Sequence, residues 1–178
     1  MTPYSGFLTI AITSTDFVEG EAARISEILR NGEADIVHIR KPGWDEVRTE
    51  LLIREIPADL YPRLKLHDHF QLLSRFPLAG VHRNSRNPEA LANAASVGIS
   101  FHSIEQLDAA THYDYVTLSP VFDSISKTGY RSAFSLKEIA PVIKGKRVVA
   151  LGGVTPDRIP LLRDAGFFGA AMLGYFWK

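Results

Sequence analysis

Eight short apolar runs, each followed by a helical or turn-forming stretch, predict an α/β protein: a compact (β/α)8 TIM barrel with short helices. Two further observations point the same way. Arg147 to Leu151 is continuous and apolar, as a parallel strand buried on both faces requires. Residues with chemical character gather at the C-terminal ends of the runs, where such barrels carry their sites. The 178 residues are few for this architecture, which typically needs about 250, so helices and loops must be short. An open doubly wound sheet is the alternative arrangement of the same elements. No linker or low-complexity stretch divides the chain, and residues 1–178 read as a single domain.

The elements follow in order. Phe7 to Thr13 predicts the first strand, and Thr15-Asp16 breaks it. Glu21 to Arg30 predicts a helix, with Ala22, Ile25, Ile28 and Leu29 at helical spacing and Asn31-Gly32 ending it. Ile36 to Arg40 predicts the second strand, and Pro42-Gly43 turns the chain. Trp44 to Glu55 predicts the second helix, with Trp44, Val47 and Leu51 on one face. Leu64 to His67 is the third strand, Phe70 to Phe76 a curtailed helix, and Ala79 to His82 the fourth strand. Asn87-Pro88 predicts a helix start, with the helix reaching about Ser96. Val97 to His102 is the fifth strand, and Ser103 with Gln106 predicts a capping box for the next helix. Tyr115 to Ser119 is the sixth strand; Ser135 with Glu138 caps a helix bearing Leu136, Ile139, Ala140 and Ile143. Arg147 to Leu151 is the seventh strand, Thr155-Pro156 starts a helix that Gly166 ends, and Phe168 to Leu173 is the eighth strand. A final helix at 175–178 is curtailed.

Composition narrows the function. Apolar residues make up 46% and charged residues 22%, the balance of an ordinary globular protein. Lysine plus arginine equals aspartate plus glutamate, 20 each, so no overall field draws the chain to nucleic acid or acidic membranes. The absence of cysteine excludes disulfides, thiolate catalysis and zinc–thiolate sites. The N-terminal run has no basic leader and is too short to span a bilayer. A cytoplasmic protein with small-molecule partners is expected, and a homo-oligomer is compatible with the sequence.

The strand ends supply the candidates. His38, Arg40 and Lys41 close the second strand; His67, Asp68 and His69 the third; His82 the fourth; His102 and Ser103 the fifth. His112 lies in a polar turn and reads as solvated. After the sixth strand, Ser124, Ser126 and Thr128 surround Lys127. Hydroxyls, backbone amides and one point charge suit a phosphate or pyrophosphate, although such a stretch also serves as an ordinary polar turn. Gly152-Gly153 lets the backbone approach a ligand closely after the seventh strand, a usual phosphate position in this barrel, or makes only a tight turn. Asp68 is the candidate metal ligand, for Mg2+ beside phosphate oxygens, or else a helix N-cap. His67-x-His69 would suggest a transition-metal pair, but the sequence offers no carboxylate or lysine bridge to complete a binuclear site.

The motifs His38-Ile39-Arg40, His67-Asp68, Gly80-Val81-His82, Ser100-Phe101-His102-Ser103, Ser119 to Lys127 and Leu151-Gly152-Gly153-Val154 together resemble thiamine phosphate synthase and its relative the thiazole tautomerase. The resemblance spans nearly the whole chain. It implies a transferase that joins hydroxymethylpyrimidine pyrophosphate to thiazole phosphate with Mg2+ assistance. It also implies that Arg40, Ser124, Ser126 and Lys127 hold pyrophosphate or phosphate. Asp68 would match a magnesium aspartate, and Gly152 and Gly153 would bind the thiazole phosphate. The chain departs from the family pattern at four places: His38 stands for glutamine, Pro42 for lysine, His67 for the asparagine before Asp68, and Asn87 for a second magnesium aspartate. The tautomerase histidine after the sixth strand is Pro120 here, so a tautomerase would turn to His38 or His102 as acid or base. Three functions are carried forward: a synthase with Arg40, His38 and Lys127 as catalytic residues, a tautomerase, and a phosphate-ligand binder without chemistry. His38, His67 and His102 are expected to line one pocket, with ligand binding that varies between about pH 5 and 8.

Overall fold

Eight parallel strands pair in chain order, and the eighth returns to the first to close a barrel. The computed structural model describes residues 6–89, 92, 94–123 and 135–177. The strands are β1 (Leu8–Ile12), β2 (Ile36–Ile39), β3 (Leu64–Leu66), β4 (Gly80–Arg83), β5 (Val97–Phe101), β6 (Tyr115–Leu118), β7 (Val148–Ala150) and β8 (Gly169–Met172). The α-helices are α1 (Glu21–Arg30), α2 (Glu46–Glu55), α3 (Leu136–Ile143) and α4 (Ile159–Asp164). Closure rules out the open doubly wound sheet. The fold fits a short chain because several crossovers use 3-10 helices, such as Phe70–Ser74 and Glu105–His112.

Strand residues alternate between two cores. Ala11, Val37, Leu64, Leu66, Val81, Val116, Val148 and Ala170 face the helices and join Ile25, Ile28, Ile53 and Ile139 in the outer core. Leu8, Ile10, Ile12, Ile36, Val149 and Ala171 face the axis and form a smaller inner core with Tyr115. Register carries this inner face around the barrel, pairing Ile12 with His38, His38 with Lys65, and His82 with Gly98. One half of the interior is therefore aliphatic and the other polar.

Most predicted elements occur with ends trimmed by one or two residues, because strand pairing stops before the apolar run does. The Ser135–Glu138 capping box is present. Four expectations change. The described residues of 87–96 form no helix. The turn at Ser103 leads into a 3-10 helix whose Gln106 accepts from the amides of His102 and Ser103. Residues 175–177 are not helical; Trp177 instead donates its indole N–H to the Ile12 carbonyl at 2.6 Å. Helix α2 starts at Glu46 and buries Thr49, Leu52 and Ile53. Val47 and Leu51 are 67% and 56% exposed. The helix carries two apolar stripes about 100° apart, and the stripe through Ile53 is the one that reaches the core.

Candidate active site

Within the polar half of the barrel, His38, His67 and His82 are buried with ring centroids 4.9, 4.9 and 4.7 Å apart. His38 Nδ1 meets His67 Nε2 at 2.9 Å, and His38 Nε2 meets the Tyr115 hydroxyl at 2.6 Å. His82 Nε2 meets Ser100 and Thr117 hydroxyls at 3.1 and 3.3 Å. Room for the His82 ring comes from Gly98, where a Cβ would lie 2.5 Å from His82 Nδ1. Lys65 completes the lining, donating to Ser96 Oγ at 2.9 Å with its ammonium 4.2 Å over the Tyr115 ring.

This lining disfavours positive charge. Burial lowers His38 and His82 well below the ordinary imidazole range, and the nearby His67 and Lys65 charges add to the effect, with His82 adding further to that on His38. Burial, with Arg40 and Arg86 nearby, lowers His67 to about 3. Burial lowers Lys65 to about 7. The three imidazoles bring one nitrogen each within 4.8 Å of one another. Both His38 nitrogens and His82 Nε2 are nonetheless engaged in hydrogen bonds inside the barrel. The cluster acts as a neutral hydrogen-bonded column below the rim.

The expected His38–His67–His102 pocket is thus corrected. His38 and His67 meet, His82 is the third member, and His102 is not one. His102 follows β5 on the exposed rim, with Nδ1 3.2 Å from the Ser119 carbonyl. The strand ends one residue earlier than expected, which leaves His102 in the loop. His112 is exposed, as expected; His69 lies past the end of β3 with a left-handed backbone (φ 55°), and its Nε2 meets the Trp44 carbonyl.

The rim above the column is charged. Asp68 Oδ2 accepts from the Lys41 amide at 3.2 Å. Its Oδ1 accepts from Asn87 Nδ2 at 2.9 Å and from the Arg86 guanidinium at 3.3 Å. Asp68 therefore ties three strand ends together instead of capping the following helix. Arg40, half-buried beside it, is anchored through the backbone: its amide donates to Thr13 Oγ1, and its carbonyl accepts from that hydroxyl. Burial lowers the Arg40 guanidinium; the Arg86 charge lowers it further and Asp68 offsets part. Lys41 is buried elsewhere, bonded to Glu21 at 2.6 Å and to the Asp16 carbonyl at 2.9 Å.

Mg2+ takes oxygen ligands, and the donor set at Asp68 does not suit it. Both carboxylate oxygens already accept from N–H groups. Asn87 turns its nitrogen toward Asp68, and the same nitrogen donates to the His67 carbonyl at 2.9 Å. That bond fixes the amide orientation and leaves no oxygen at position 87 facing the carboxylate.

Gly152 and Gly153 close β7 with φ of 91° and 63°. A Cβ on Gly153 would lie 2.3 Å from the Asp123 carbonyl oxygen, and one on Gly152 would lie 2.8 Å from Pro120. The Gly152 carbonyl accepts from Phe122, and the Gly153 carbonyl from Arg158 at 2.7 Å. Among the described residues, nothing accepts from the amides of Gly152, Gly153 or Val154. Ser124, Ser126 and Lys127 lie outside the described residues. Sequence reasoning missed Arg86, Lys65 and Tyr115. A lysine between two leucines in a buried strand was a signal for Lys65.

The barrel gathers charged groups and open amides at the C-terminal ends of its strands, the face on which (β/α)8 barrels carry their sites. The sequence profile described as thiamine monophosphate synthase matches residues 9–175, and the chain belongs to that family. The family is generally Mg2+-dependent. The chain is 34% identical to the thiamine phosphate pyrophosphorylase of Bacteroides thetaiotaomicron, with a TM-score of 0.80 over 94% of this chain and 83% of that one. It is 28% identical over 162 residues to a thiamine-phosphate synthase of Synechococcus sp. (strain CC9605), covering 85% of this chain and 46% of that protein. A Salinibacter ruber thiamine-phosphate synthase is 26% identical over 165 residues, covering 85% of this chain and 72% of its own length. Against the first of these synthases the chain spans about half the relative's length. Among the described residues, no helix is long and apolar enough to cross a membrane.

Proposed function

We propose that this chain joins hydroxymethylpyrimidine pyrophosphate to thiazole phosphate, forming thiamine phosphate. One observation supports the reading most: the rim offers two separate anion sites. Open amides at Gly152–Val154 suit the phosphate of the thiazole. Arg40 and Arg86, two guanidiniums against the single carboxylate of Asp68, suit pyrophosphate. By the family resemblance, Ser124, Ser126 and Lys127 would also hold pyrophosphate, with Lys127 as its principal point charge.

The reaction suits these residues. The C–O bond between the pyrimidine methylene and pyrophosphate breaks, and both electrons leave with the pyrophosphate. The thiazole nitrogen lone pair then forms the new C–N bond. No proton is removed, so neutral, internally bonded imidazoles are compatible with the chemistry. Arg40, Arg86 and Lys127 stabilise the charge that develops on the leaving group. His38 serves as lining rather than as acid or base, because both of its nitrogens are occupied. A protein of this function acts in the cytoplasm on small phosphorylated heterocycles.

A thiazole tautomerase is the second reading, favoured by one observation: His102 stands exposed on the rim. Incubation of the pure protein with both heterocycles decides between them. Thiamine phosphate formation supports the transferase; isomerisation of thiazole phosphate alone supports the tautomerase; binding without turnover leaves only a binder. Lys127→Ala is expected to weaken binding of inorganic pyrophosphate by about ten- to a hundred-fold, the effect of one charge-assisted hydrogen bond. Titration calorimetry with thermal melts checks that assignment.

A further inference from the structure

The loop after β4 is built to hold a cation at Asp68. Asn84 Oδ1 accepts from the amides of Arg86 and Asn87 at 3.0 and 3.2 Å, and Asn84 Nδ2 donates to the His67 carbonyl at 2.9 Å. Asn84 and Asn87 also exchange backbone hydrogen bonds at 3.2 and 3.1 Å. This closed turn projects Arg86 onto Asp68 and turns Asn87 nitrogen-first toward the same carboxylate. The Arg86 side chain remains 43% exposed, so part of its donor fork is open to a ligand. With Arg40 alongside, two full positive charges face one negative charge. The local charge is balanced only when an anion arrives.

We infer that the Arg86 guanidinium is the resident cation of this site, standing where the family pattern places a divalent metal, so that pyrophosphate binds without Mg2+. The inference rests on the reading of the Arg40–Asp68–Arg86 rim as the pyrophosphate site. A guanidinium presents a planar fork to phosphate oxygens and stays charged at any working pH. Its tether to Asp68 holds that fork in place before the ligand enters. A single carboxylate already satisfied by N–H donors is poor ground for a cation that demands oxygen ligands.

The test is calorimetric titration of inorganic pyrophosphate into the chelator-stripped full chain, with and without Mg2+. Wild type is expected to bind without Mg2+ and to gain nothing from it. Arg86→Gln should weaken metal-free binding by about ten- to a hundred-fold, and Arg86→Lys should recover part of that loss. The double variant Arg86→Gln/Asn87→Asp restores a second carboxylate and should bind pyrophosphate only with Mg2+. Binding by wild type that requires Mg2+, an Arg86→Gln variant as tight as wild type, or no binding in either condition overturns the inference. Product formation is scored separately. Thiamine phosphate made only with Mg2+ sinks this inference and leaves the transferase standing. Metal-free pyrophosphate binding without product does the reverse.

Discussion

Inside the barrel, three imidazoles pack 4.7 to 4.9 Å apart and stay neutral. One layer above, the guanidiniums of Arg40 and Arg86 stand beside the Asp68 carboxylate. Both groups belong to the same strand ends: Arg40 follows His38 by two residues, Asp68 follows His67 by one, and Arg86 follows His82 by four. The difference lies in solvent and partners. The column is sealed, so each imidazole gives up its charge and bonds to a neighbour. On the rim, Asp68 is paired with N–H donors from Lys41, Arg86 and Asn87, and the Arg86 side chain is 43% exposed. Pairing on a strand is therefore no guide to titration; depth along the barrel axis is.

Acid should break this contrast most strongly. An imidazole whose folded pKa lies below its unfolded value near 6.5 takes up a proton only on unfolding. The unfolded state then binds more protons, and stability falls as pH drops from about 6.5 toward His67's value of about 3. Each histidine contributes up to about 1.4 kcal/mol per pH unit, so three contribute about 4 kcal/mol per unit. Urea unfolding at about pH 7 and about pH 5 should show this loss. A flat profile would mean that water reaches the column. The expected pH effect on ligand binding is thereby replaced by one on folding.

On the rim, Arg40→Ala should weaken pyrophosphate binding by about 1.5–3 kcal/mol while the melting temperature barely moves. Unchanged affinity would remove Arg40 from the site. At the other anion site, Gly153→Ala must adopt a left-handed backbone and places its Cβ against the Asp123 carbonyl. A stability loss of about 1–2 kcal/mol is expected, together with loss of thiazole phosphate binding. Full retention of binding would show that those amides do not hold the phosphate. The finest comparison sets one histidine against another. His67→Ala leaves His38 Nδ1 unpaired and should cost about 1–3 kcal/mol. His102→Ala, on the exposed rim, should stay within about 0.5 kcal/mol. Equal costs would erase the distinction between column and rim.

Strand count and order were legible in the chain, and so was the rim on which the strand ends converge. Apolar runs of four to six residues leave few alternatives once helices intervene, and parallel connection forces all C-terminal ends to one rim. Asp68, Arg40 and the Gly152-Gly153 turn were visible because each residue type has a specific use at a strand end. Tertiary structure alone decided what those side chains touch. Whether Leu51 or Leu52 is buried depends on how α2 rolls against α1. His67 and His102 each follow the last residue of their strand, yet His67 is sealed against His38 and His102 is exposed. Arg86 meets Asp68 across 18 residues of chain. Charge pairing of that kind arises from barrel closure, which brings neighbouring strand ends together whatever their separation in sequence.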